Sequence, residues 1–243
     1  MQTKPVLPWL MLFSRSILFI IAQALITLLF VFTGVNAAWN EAARWWIFFP
    51  IFANVGSIIL LVFVFRAEGN RYLDILRFSR QTWKTDLLWF FGSGLIGLPI
   101  AAAPMYILGT AIFGDRMVPV YMLFRSVPNW ALVIGLLFPL TMAFAELPTY
   151  FGYSMPRLFC KGESQTRLSA WLAFLVASGF LSLQHIFLPF YADWKYILWR
   201  GLMYLPFALF AGLMVKLRPN LLPYFAIVHA LMDVSVLTVY LTL

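Results

Sequence analysis

Charge is what this sequence has least of. Only 11% of its 243 residues are Asp, Glu, Lys or Arg, against 63% hydrophobic, and mean hydropathy is +0.89. Soluble domains carry roughly 25% charged residues, so a water-soluble globule is excluded. There is one cysteine, Cys160, which rules out a disulfide framework within the chain. It lies beside the expected inner membrane surface, where an inert thiol or a reversible acylation site are the readings. There are two histidines, His185 and His229. No soluble linker, low-complexity tract or repeat interrupts the hydrophobic pattern.

What fills the chain is apolar runs. A hydrocarbon layer about 30 Å thick needs about 20 apolar residues per helix. Stretches of that length lie at about 9–33, 46–65, 87–113, 130–155, 168–190, 196–215 and 221–243. They are continuously apolar rather than alternating, which argues against a β-barrel. The expectation is an all-α, polytopic helical transmembrane bundle of about seven spans, forming one domain over 1–243. Val35-Asn36-Ala37 loosely resembles a signal-peptidase site, but the run before it is long, so an uncleaved anchor is expected.

The formal charge of +8 is distributed by side. With the N-terminus cytoplasmic, the inner gaps hold Lys4, Arg66, Arg71, Arg77, Arg80, Lys84, Arg157, Lys161, Arg167, Lys216 and Arg218, and the outer gaps only Arg44, Arg116, Arg125 and Lys195. Eleven against four is the positive-inside bias. Tryptophans mark both boundaries, as an interfacial belt does. Membrane lipids are therefore the expected partner of the basic loop 66–86, and nucleic acid is not. That loop, and the gap 114–129, are expected to hold short interfacial helices. Pro99, Pro104, Pro139 and Pro148 predict kinks or broken hydrogen-bond ladders in the third and fourth runs. Arg15 and Arg200 lie near segment ends, where snorkelling accounts for them.

Glu146, His185, His229 and Asp233 resist that explanation. An ionisable side chain at membrane depth is expensive and marks a functional site by default. Rises of 1.5 Å per residue put all four at compatible depths. His229 and Asp233 are four apart on one helix and share a face, so Asp233 is expected to accept one ring N–H and leave the other nitrogen aimed at a cavity. A carboxylate that activates water, opposite donors for an oxyanion, suffices for peptide hydrolysis without a covalent intermediate.

Three motifs carry a resemblance. Residues 145–158 (AELPTYFGYSMPRL), 181–185 (LSLQH) and 229–233 (HALMD) occur in order on successive apolar runs. Together they resemble the CAAX protease and bacteriocin-processing (CPBP) family of intramembrane endopeptidases, over a core of about 130–243. The resemblance implies a glutamate-dependent, metal-independent protease without cofactor, acting on a protein or peptide substrate reached from the membrane or the cytoplasmic face, in a bacterial plasma membrane. Glu146 and His185 would activate water; His229 and Asp233 would stabilise the oxyanion. The chain departs from the first motif: Leu147 stands for a second glutamate and Phe151 for an arginine, an ion pair exchanged for an apolar pair. Leu181 stands for a phenylalanine. The departures leave open a second reading, a non-catalytic membrane scaffold or bacteriocin-immunity-type protein of the same fold. The residues alone also fit interhelical polar glue, a zinc shell of two imidazoles and two carboxylates, and a proton-coupled transporter. The last two lack, respectively, HExxH-type spacing and internal repeats.

Overall fold

A computed structural model describes residues 5–159 and 168–240. Cys160 and the basic residues Lys4, Lys161 and Arg167 lie outside the described residues. Among those described, every regular element is helical. Helix α1 (Leu7–Phe32) starts with Pro8 in its first turn, where a missing N–H costs nothing. A short α2 (Ala38–Arg44) leads into α3 (Phe48–Ala67), and a 3-10 turn (Tyr72–Leu76) occupies the basic loop where a short interfacial helix was expected. Helix α4 (Trp83–Phe113) runs unbroken through Pro99 and Pro104. The gap after it contains α5 (Val118–Leu123).

The chain then continues as α6 (Asn129–Gly135), α7 (Leu137–Met142), a π-helical stretch (Pro148–Ser154) and α8 (Met155–Leu158). Helix α9 (Ala170–Leu183) is capped by the Ser169 hydroxyl, which accepts from the Leu172 N–H, and tightens into a 3-10 turn (Gln184–Phe187). Asp193 caps α10 (Trp194–Met203) in the same way through the Tyr196 N–H. Helix α11 (Leu205–Leu217) follows, and α12 (Leu222–Tyr240) ends the described chain.

Among the described residues, six helical stretches are long and apolar enough to cross a membrane, so the chain is an integral membrane protein by length and composition. The fourth expected span, 130–155, is not one long helix but the shorter apolar stretch Asn129–Met142 followed by a break, as its prolines predict. Pro139 and Pro148 break it, and Phe144 and Ala145 fall back to i−3 bonds with Thr141 and Met142. Pro148 has no N–H to give the Phe144 carbonyl, and the Tyr72 hydroxyl, reaching in from the basic loop, donates to it instead. A freed carbonyl at depth is tolerated when protein covers it.

The bundle packs α1 on α3, α9 on α11, α4 on α10 and α11, and α12 on α7. At the end carrying the basic loops, Leu147, Tyr150 and Phe151 pack with α9, α11 and the start of α12 into one apolar core. Two ion pairs lace that end. Arg157 grips the Glu68 carboxylate through Nε and a terminal nitrogen, and Arg218 Nε lies 2.5 Å from Asp86 Oδ1. At the opposite end, Glu41 binds Arg44 and Arg125 at 3.0 and 2.8 Å.

Candidate active site

Glu146 sits where the fourth run is broken, on the last turn before the π stretch. It is 1% exposed. Its two oxygens have different surroundings. Oε2 lies 3.2 Å from a terminal nitrogen of Arg15. Among the described residues Oε1 has no hydrogen-bond partner of good geometry; His229 Nε2 stands 3.3 Å away and His185 Nε2 3.8 Å away.

His185 is on the 3-10 turn that ends α9. Its Nδ1 is 2.9 Å from the Leu181 carbonyl. A carbonyl only accepts, so Nδ1 carries the proton, and in the neutral ring Nε2 is an acceptor facing Glu146. The ring stacks on Tyr204 at 3.8 Å between centroids. Arg200 braces the turn, giving its Nε to the His185 carbonyl and another N–H to that of Leu188.

His229 lies on α12 and stacks on Phe207. Asp233 is one turn on, but it does not hold the ring as expected. Its Oδ2 is 3.9 Å from Nε2, the same nitrogen that faces Glu146, while Nδ1 has no hydrogen-bond partner. Both carboxylates therefore crowd one side of the imidazole. The i, i+4 spacing puts the groups on one face without fixing which nitrogen meets the acid.

All four sequence-derived residues are thus brought together, and all four line one cavity of about 580 Å³. Sequence reasoning missed Arg15. It was assigned to the membrane edge and is instead wholly buried, as is Arg200 at 1% exposure. Helix α1 begins at Leu7, so Arg15 is two turns inside it. Its guanidinium is satisfied on every side: Nε donates to Gln184 Oε1 at 2.8 Å, Nη1 to Asn54 Oδ1 and Ser57 Oγ at 2.9 and 3.3 Å, and Nη2 to Glu146. Tyr150 donates to the same Gln184 oxygen at 3.1 Å. The signal was present as polar residues at positions 54, 57 and 184 inside apolar runs, a matching set of acceptors for one buried cation.

Leu147 and Phe151, in place of the charged pair, are each 1% exposed within the apolar core. Phe151 leaves no room for a Cβ on Gly212, which would come within 2.7 Å of its ring. Among the described residues, no group of three or more His, Cys, Asp or Glu is arranged to hold a metal ion. No family model, curated protein or solved structure matches the chain.

Proposed function

We propose that this chain is an intramembrane endopeptidase of a bacterial plasma membrane, its basic end inside, that hydrolyses a peptide bond with a water activated by Glu146 and His185. The single observation that carries the reading is the pair of acceptors, Glu146 Oε1 and His185 Nε2, 3.8 Å apart. Two acceptors cannot bond to each other, but a water can donate to both. Arg15 neutralises the charge of the carboxylate and fixes its other oxygen, so the catalytic oxygen is held still.

Attack forms the bond from water oxygen to carbonyl carbon and passes a water proton to Glu146 Oε1. The oxyanion is met by an N–H of His229, whose positive charge is balanced by Asp233. Collapse breaks the C–N bond as Glu146 returns the proton to the leaving nitrogen, giving a carboxylic acid and an amine; the acid then passes its remaining proton to the amine, leaving a carboxylate and an ammonium group. The three motifs that resemble the CPBP family support the same assignment of roles. The apolar pair at 147 and 151 is compatible with it, because both charges are absent together and Arg15 supplies the cation from a different helix.

The test is cleavage of a membrane peptide by reconstituted parent, Glu146→Gln and His185→Ala proteins. Both variants are expected to lose activity while retaining the fold; parental rates in either would refute the mechanism. The second reading, a non-catalytic scaffold or immunity-type protein, draws on the Arg15–Glu146 pair serving as a structural tie. It predicts that Glu146→Ala combined with Arg15→Met keeps full biological function.

A further inference from the structure

Among the described residues, those lining the cavity lie toward the end of the bundle opposite the basic loops. Its wall includes α5, Trp46 in the turn before α3, and Val239 near the end of α12, and among the described residues none of the basic loop or of the 216–226 region. Toward the basic end, α4 and α12 are in aromatic contact: Phe90 of α4 meets Tyr224 and Phe225 of α12, each at 5.8 Å. Beyond that contact, residues of both helices line the cavity. Its rim there is exposed, with Leu98, Ala102 and Tyr106 on α4 and Ser235 on α12. Helix α4 packs on α10 and α11, and α12 on α7.

The geometry points to a lateral portal between the far halves of α4 and α12, through which an apolar peptide segment lying in the hydrocarbon reaches Glu146 from the leaflet opposite the basic loops. This rests on the endopeptidase reading and adds the side of approach and the class of substrate. A peptide, rather than an acyl chain, fits the interior. Among the described residues, buried Glu146 Oε1, both His229 ring nitrogens and Asp233 Oδ2 have no hydrogen-bond partner, and all belong to residues lining the cavity. A peptide bond brings both an N–H for the carboxylates and a carbonyl for the imidazole; a hydrocarbon chain brings neither. The apolar wall carries Met105, Met117, Met142, Met203 and Met232, side chains that reshape around varied partners. The scissile bond then lies in the half of the substrate span farther from the basic loops.

The test uses the full chain with Cys160→Ser and bimane on a cysteine at the rim, Ser235→Cys, or at the lipid-facing control Leu28→Cys on α1. The probe is a synthetic single-span peptide of about 20 apolar residues with one Trp at its centre, in the same vesicles. Saturable quenching several-fold stronger at 235 than at 28, largely abolished by Ala102→Phe with unfolding temperature unchanged, is expected. Equal quenching at both positions, or indifference to Ala102→Phe, overturns the portal. Brominated acyl chains that quench position 235 as selectively as the peptide overturn the peptide assignment. Product masses are expected to place the cut in the far half of the peptide, and a cut in the near half contradicts the side of approach. Rim quenching without any cleavage refutes the endopeptidase reading and leaves the portal standing.

Discussion

The two halves of this bundle are built on opposite plans. Toward the basic loops, described side chains pack closely: Phe151 sits against Gly212, Leu147 and Tyr150 join the same core, and Arg157–Glu68 and Arg218–Asp86 tie the loops down. Toward the other end, α4 and α12 both line a cavity of about 580 Å³, and among the described residues Glu146 Oε1, both His229 ring nitrogens and Asp233 Oδ2 at its wall make no hydrogen bond. The difference teaches where stability and chemistry reside. The packed half holds the helices in place, and the boundary between halves carries Arg15 and Glu146, so that one carboxylate oxygen faces the tie and the other the cavity.

The strongest way to break this division is at the boundary. Arg15→Met leaves the Glu146 charge buried without its cation and should destabilise by about 3–5 kcal/mol. Adding Glu146→Gln should recover most of that loss. Thermal unfolding in detergent measures both, and a double variant no more stable than Arg15→Met would contradict the pairing.

The packed half is probed by Gly212→Ala. The new Cβ would meet Phe151 and the Ser178 hydroxyl at 2.7 Å, and overpacking of this kind costs about 1–3 kcal/mol. Ser235→Ala in the hollow half should stay within about 0.5 kcal/mol of the parent. Equal losses at the two sites would erase the contrast.

Charge can also be put back into the packed half. Leu147→Glu and Phe151→Arg should each destabilise, and the double variant should fall short of their sum by about 1 kcal/mol in a double-mutant cycle. Strict additivity would mean the two positions do not share an ion-pairing geometry across the π stretch.

The smallest effect lies at the far surface. Burial alone would raise the Glu41 carboxyl, but Arg44 and Arg125 outweigh it and hold it below its ordinary value of 4.5. A depressed folded value stabilises above the unfolded one and is lost as pH falls through the folded one. The parent should therefore exceed Glu41→Gln by about 0.2–1 kcal/mol at pH 7, with the margin shrinking as pH drops below about 4.5. A margin independent of pH would show that packing, not charge, is involved.

Much of this was legible in the sequence because the membrane makes polarity conspicuous. A carboxylate, two imidazoles and an aspartate inside apolar runs announce a shared site by their cost alone. The spans followed from length, and the break in the fourth from Pro139 and Pro148. Arg15 was not legible, because an arginine near a helix end has a harmless explanation and the helix start that removes it is set by tertiary structure. Nor was the nitrogen of His229 that meets Asp233, since a spacing of four places two side chains on one face but leaves χ angles to the packing of Phe207 and Glu146. The hollow far half was invisible for a similar reason: hydropathy reports that a face is apolar, not whether another helix covers it.

The central claim is that Glu146 is the base in a water-mediated cleavage. The most direct measurement is the cleavage rate of Glu146→Gln against the parent, per folded molecule, in the same vesicles with the same peptide. A loss of about 10²–10⁴-fold with an intact helical signature is the result the account predicts. Cleavage by the glutamine variant at the parental rate would contradict it.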